Sequence, residues 1–205
     1  MVARDSLSPD VIVQAAVARV DLHGMESLTL RTLGEDLGAH FTSLYRHFRN
    51  KEELIAAMFE YVLGDIAGDV AKAPDEPIAR IRTIALAFRR ALHRHPALVG
   101  TIVATGGTES SFALQRTITQ DLATLGVPTK EIATRYQMLE SYVFGASMFD
   151  YLGAPNHLKH RQLRHSSSGL KEFSAASKSE KSVDSHNEAA FEAGLEAILV
   201  AISAK

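Results

Sequence analysis

The sequence predicts an all-α fold. Almost every segment spaces its apolar residues at a helical period, and no stretch alternates apolar and polar residues between hairpin turns as a half-buried strand would. Several of these segments also open on a capping signal, at Ser8-Pro9-Asp10, at Thr29 and at Asn50.

The first helix starts where Ser8 caps, Pro9 loses nothing by lacking an N–H, and Asp10 meets the positive end of the helix dipole. It stops at Gly24, and Ile12, Ala15, Ala16 and Val20 give it a narrow inner face. Thr29 caps a short second helix carrying Leu30, Leu33 and Leu37, which Gly38 ends. A third short helix is expected over 41–48. Asn50-Lys51-Glu52-Glu53 then resembles a capping box at the head of a fourth, whose stripe is Leu54, Ile55, Met58, Phe59, Val62 and Ile66.

Ala73-Pro74-Asp75-Glu76-Pro77 interrupts the helical pattern. Beyond it the spacing predicts helices over 77–95, from Pro96 to Gly106-Gly107, over 109–125 and over 129–152. The last of these is apolar nearly all round and is expected to be covered on every side. Residues 155–187 are rich in Ser, Lys and His and poor in large apolar side chains, so a disordered linker is expected there. A final helix over 188–204 brings Phe191, Leu195, Ile198 and Ile202 to one face.

Composition narrows the function. The 205 residues carry 46% apolar side chains, a net charge of −2 and no cysteine, which excludes disulfides and thiolate chemistry. No apolar run is long enough to span a bilayer and no secretory leader is recognisable, so a cytoplasmic protein without a membrane partner is expected. No phosphate-cradling glycine loop, nucleophile elbow, paired helical histidines or carboxylate pair marks an enzyme, and no cofactor is implied. His157, His160 and His165 lack partners that would complete a metal site, so none is expected. Charge is concentrated locally: residues 37–51 hold no Asp or Glu but do hold Arg46, Arg49, Lys51, His40 and His47.

The first three helices have the arrangement in which a short glycine-bearing turn presents a recognition helix to DNA. Leu33, Leu37, Leu44 and Phe48 can pack inward, leaving Thr42, Ser43, Tyr45, Arg46 and His47 at or near the surface. The run from Gly38 to Leu54, GAHFTSLYRHFRNKEEL, resembles the recognition-helix signature of the tetracycline-repressor (TetR) family. Ile12, Ala15-Ala16, Gly24 and Leu28-Thr29-Leu30-Arg31 also stand where that family carries its first two helices.

The resemblance implies an N-terminal three-helix DNA-binding domain over residues 1–52. It also implies a larger helical effector-binding and dimerisation domain over 53–205. By that resemblance Tyr45 and His47 contact phosphates, Lys51 holds the DNA backbone, Thr42 and Ser43 face bases, and Thr29 and Arg31 flank them. Two positions depart from the family: His40 replaces a capping serine and Ala39 the commoner valine. His40 is either a solvent-exposed turn residue or, when protonated, a phosphate contact. Phe41 either packs inward or meets a thymine methyl.

The implied partners are a double-stranded, palindromic DNA operator, a second copy of the chain, and a small, largely apolar effector. Phe88, Leu92, His95, Ile102, Met138 and Tyr142 are candidates for the effector cavity, with plain core packing as the alternative for each. Gly145, Ala146, Phe149, Leu195, Ile198 and Ile202 are candidates for the dimer interface. A repressor released by its effector is the reading these features favour. An effector-independent DNA binder or a helical small-molecule enzyme is the alternative.

Overall fold

In a computed structural model that describes residues 7–98, 107–151 and 157–204, without the side chains of 148–151 and 157, the chain is helical, with no strand among those residues. It divides into two units: Met1–Lys72 with Arg90–Arg116, and Ala73–Arg89 with Thr117–Lys205.

In the first unit α1 (Pro9–His23) begins where Ser8 Oγ accepts from the Val11 amide at 3.3 Å, and it ends at Gly24, whose φ of 78° favours glycine. Its buried Ile12, Val13, Ala16, Val17 and Val20 pack on α4 (Lys51–Val70), which buries Leu54, Met58, Phe59, Val62, Leu63 and Ile66. A 3₁₀ turn, Met25–Ser27, leads to α2 (Leu30–Asp36), where Thr29 and Thr32 form a reciprocal box. Thr29 Oγ1 accepts from the Thr32 amide at 3.0 Å and Thr32 Oγ1 from the Thr29 amide at 3.1 Å.

The third helix, α3, spans only Phe41–Leu44, where the spacing predicts 41–48. Beyond it the hydrogen bonds tighten to three-residue closures, Arg46 to Ser43 and His47 to Leu44, so 45–47 continue as turns. The inward pattern survives this change, since Leu44 and Phe48 are both buried.

The break at 73–77 is present, and Glu76 converts it into a helix start by accepting from the Ile78 and Ala79 amides at 3.1 and 2.6 Å. From there α5 (Pro77–Arg94) contributes its first part to the second unit. That unit also holds the end of α6 (Glu109–Thr124), then α7 (Thr129–Tyr151), α8 (His157–Ser167) and α9 (Glu180–Ser203), with α9 lying along both α7 and α8. Arg80 reaches the buried Asp121 through Nε at 2.9 Å, joining α5 to α6.

One expectation fails here. The segment expected to be a disordered linker is α8, a 3₁₀ turn at Lys171–Phe173 and the first turns of α9, which starts at Glu180 under a Ser179 cap rather than near 188. Few apolar residues suffice because polar contacts supplement Ala176 and Val183, both buried: Arg161 bonds Asn187, Gln162 donates to the Ser177 carbonyl at 3.0 Å, and His165 stacks on Phe173. Within its own chain α7 is covered in part: Leu139 and Val143 are buried, and Thr134, Gln137, Met138, Ser141 and Gly145 are exposed.

Candidate nucleic-acid interface

The crossing of α2 and α3 rests on Gly34, a residue the periodicity did not single out. A Cβ at Gly34 would lie 2.9 Å from the Ala39 carbonyl oxygen and 3.3 Å from Phe41 Cα, so only glycine lets the two helices meet this closely. Gly38, with φ 61°, makes the turn between them, and the Ala39 amide returns to the Gly34 carbonyl at 2.9 Å. Arg19 braces the outside, reaching Asp36 at 2.5 Å and the Ser27 carbonyl at 3.0 Å.

His40 is the N-cap of α3. Its Nδ1 accepts from the Thr42 amide at 3.4 Å and lies 2.8 Å from Thr42 Oγ1, so the imidazole does what a short hydroxyl or carboxamide does at other helix starts. This ties the hydroxyl of Thr42, a base-facing candidate, to the cap. Phe41 is 40% exposed, with its ring centroid 4.6 Å from that of His40 and a T-shaped contact to Tyr45 at 6.3 Å, so it lies on the outer surface instead of in the core.

Thr42, Tyr45, Arg46 and Arg49 are exposed and Ser43 and His47 half-buried, while Leu44 fills the inside. Arg31 is exposed beside Glu35 at 3.9 Å, and Thr29 is exposed with its hydroxyl committed to capping. Lys51 Nζ donates to the Met25 carbonyl at 3.3 Å, which ties the start of α4 to the 3₁₀ turn. The result is one surface of aromatic, hydroxyl and cationic groups carried on a buried leucine and phenylalanine.

A second feature of the first unit also escaped the sequence. Glu60, midway along α4, accepts from the Ser110 amide at 3.0 Å and from the Ser110 hydroxyl, and so caps α6 from outside its own chain segment. Burial pushes the Glu60 carboxyl up, but hydrogen bonds from Ser110, Thr108 and Glu109 outweigh it and hold the group below its ordinary value.

The residues expected around an effector fall in both units. Leu92 is buried in the first unit, where His95 pairs with Asp21 at 2.8 Å. Phe88 meets Phe144 edge-on in the second unit, and Tyr142 stacks on Phe191 and donates to its carbonyl at 2.8 Å. Met138 is 39% exposed. Ile102 and Phe149 lie outside the described residues and side chains. Of the expected dimer contacts, Gly145 is exposed and Ala146 and Ile198 are half-buried. Leu195 and Ile202 are fully buried in their own unit, so neither can be covered by a second copy. Among the described residues there is no cluster of metal-ligating groups and no helix long and apolar enough to cross a membrane.

An all-α chain opening on a helix-turn-helix is the class this geometry defines. Residues 12–58 match the family described as bacterial regulatory proteins, tetR family, and 72–205 match the tetracyclin repressor-like C-terminal domain. The chain belongs to the TetR family. A helix-turn-helix-type transcriptional regulator of Saccharopolyspora erythraea is 30% identical over 146 residues, 68% of this chain and 59% of that protein. The class E tetracycline repressor protein of Escherichia coli is 28% identical over 141 residues, 68% of this chain and 67% of that one. Among solved structures, a TetR transcriptional regulator from Streptomyces coelicolor superposes with TM-score 0.76 at 25% identity, covering 96% of this chain and 98% of that one. The TetR family protein ActR of the same organism, in complex with actinorhodin, shares the fold with TM-score 0.74 at 20% identity, covering 97% and 96%.

Proposed function

We propose that this protein is a dimeric transcriptional repressor that docks α3 in the major groove of a palindromic operator and leaves it when a small, largely apolar effector binds the second unit. The observation that carries the reading is the sorting of residues 41–48, with Phe41, Thr42, Tyr45 and Arg46 outward and Leu44 and Phe48 inward. Tyr45, His47 and Lys51 position the protein on phosphates, while Thr42 and Ser43 with Phe41 read bases. One recognition helix covers too few base pairs, so two copies are required.

The faces left open within the chain support self-association. Met138 and Gly145 on α7, and Ala193, Ala197 and the 70%-exposed Val200 on α9, are small or apolar and unfilled by their own chain. They suit a bundle of two helices from each copy. The match to a tetracyclin repressor-like C-terminal domain supports the effector.

The test uses reciprocity. An operator recovered by pull-down of genomic fragments must weaken effector binding by the same factor as the effector weakens operator binding. Equal affinity of the effector for free and DNA-bound protein would overturn the release mechanism.

A further inference from the structure

Among the described residues of the second unit four polar ones are buried, and three have partners: Arg89 holds Glu188 and covers the Phe191 ring, Asp121 is held by Arg80, and Asn187 by Arg161. Ser147, fully buried on α7, has a hydroxyl with no hydrogen-bond partner. Three helical hydroxyls elsewhere in the molecule fold back on the preceding turn: Thr83 donates to the Ala79 carbonyl at 2.9 Å, Thr124 to Gln120 at 3.0 Å and Ser203 to Leu199 at 2.8 Å. Ser147 does not. It continues the most buried line of α7, four residues beyond Val143 and eight beyond Leu139, where an aliphatic side chain would fill the core at no polar cost.

We propose that Ser147 is the hydrogen-bonding handle of the effector site, and that the effector is an uncharged aromatic molecule whose carbonyl or hydroxyl group meets it. The proposal rests on the small-molecule reading above. Phe144, one turn back, meets Phe88 edge-on with centroids 5.9 Å apart and supplies an aromatic wall beside the serine. The line of Leu139 and Val143 carries no charge. Glu140, two turns back, accepts from Tyr136 Oη at 2.9 Å and Gln137 Nε2 at 3.2 Å, and the buried cation Arg89 is already paired with Glu188 at 2.9 Å; an uncharged ligand group needs a partner from neither.

The probes are 1-acetylnaphthalene and 1-isopropenylnaphthalene, which differ by exchange of a carbonyl oxygen for a methylene, titrated calorimetrically into the full chain. The wild type is expected to favour the ketone by about ten-fold, the worth of one buried neutral hydrogen bond. Ser147→Ala should level the two affinities while keeping that for the hydrocarbon, and Ser147→Thr should restore the preference. Without ligand, Ser147→Ala should melt at the same temperature as wild type or higher. A fall of several degrees would mean that the hydroxyl already has a partner, and would overturn the proposal. Equal binding of both probes to wild type would remove the handle and leave the effector reading standing. Binding of neither would exclude the aromatic class, and the effector reading would then rest on the two-way titration alone.

Discussion

Residues 8–53 and residues 157–203 are both helical, but their helices are held in different ways. In the first stretch a side chain at each α-helix start caps its own turn: Ser8, Thr29, His40 and Asn50 accept from amides two or three residues on. In the second, Ser179 is such a cap for α9, while α8 is held by reach across the chain, from Arg161 to Asn187, Gln162 to Ser177 and His165 to Phe173. A surface that must present side chains in a fixed register gains from locally determined helices. The other region depends on tertiary contacts for its order, and such regions open at lower cost.

The largest expected effect lies at a position of the first region that local caps do not explain. Gly34→Ala should cost about 3 kcal/mol by overpacking against a backbone carbonyl that cannot swing aside, seen as a lower melting temperature and loss of DNA binding. If it is tolerated, local capping alone specifies the helix-turn-helix. Next, Arg161→Ala should cost about 2 kcal/mol by removing a charged hydrogen bond, and limited proteolysis should then cut first between 157 and 179 with the first unit intact. Uniform cleavage would make the two regions one cooperative body.

The smallest effect concerns Glu60. Its carboxyl titrates lower in the folded chain than in the unfolded one, so its contribution is complete above the ordinary carboxylate value and is lost as pH falls through the folded value. Melting curves of wild type and Glu60→Gln should therefore differ at neutral pH and converge in acid. A gap that persists in acid would assign the effect to packing.

Local signals made the first region readable. Ser8 with Pro9, Thr29 and Gly38 fixed three boundaries within reach of their own turns, and Asn50 accepts from the Glu53 amide at 2.8 Å as its spacing implies. Even there Glu53 reaches the Arg49 amide at 2.7 Å, one residue earlier than a capping box requires. Gly34 was silent because a glycine's role depends on what approaches it in space. Composition misjudged 157–187 because Arg161, Gln162 and His165 look like solvated residues until Asn187, Ser177 and Phe173 are brought to them. For the same reason Leu195 and Ile202 read as an interface stripe, although the buried face of α9 is filled by its own chain. His40 was legible as a departure from the family, and only geometry identified it as the cap.

The central claim is that residues 41–47 divide between positioning and reading. Selection of duplexes from a random pool by wild type, Ser43→Ala and Lys51→Ala tests it most directly. Wild type should enrich one palindrome. Ser43→Ala should change the preferred base at symmetry-related positions, by about 1 to 3 kcal/mol for each lost contact. Lys51→Ala should bind every duplex more weakly and keep the wild-type preference. The same preferred sequence from Ser43→Ala, or a new one from Lys51→Ala, would contradict the division.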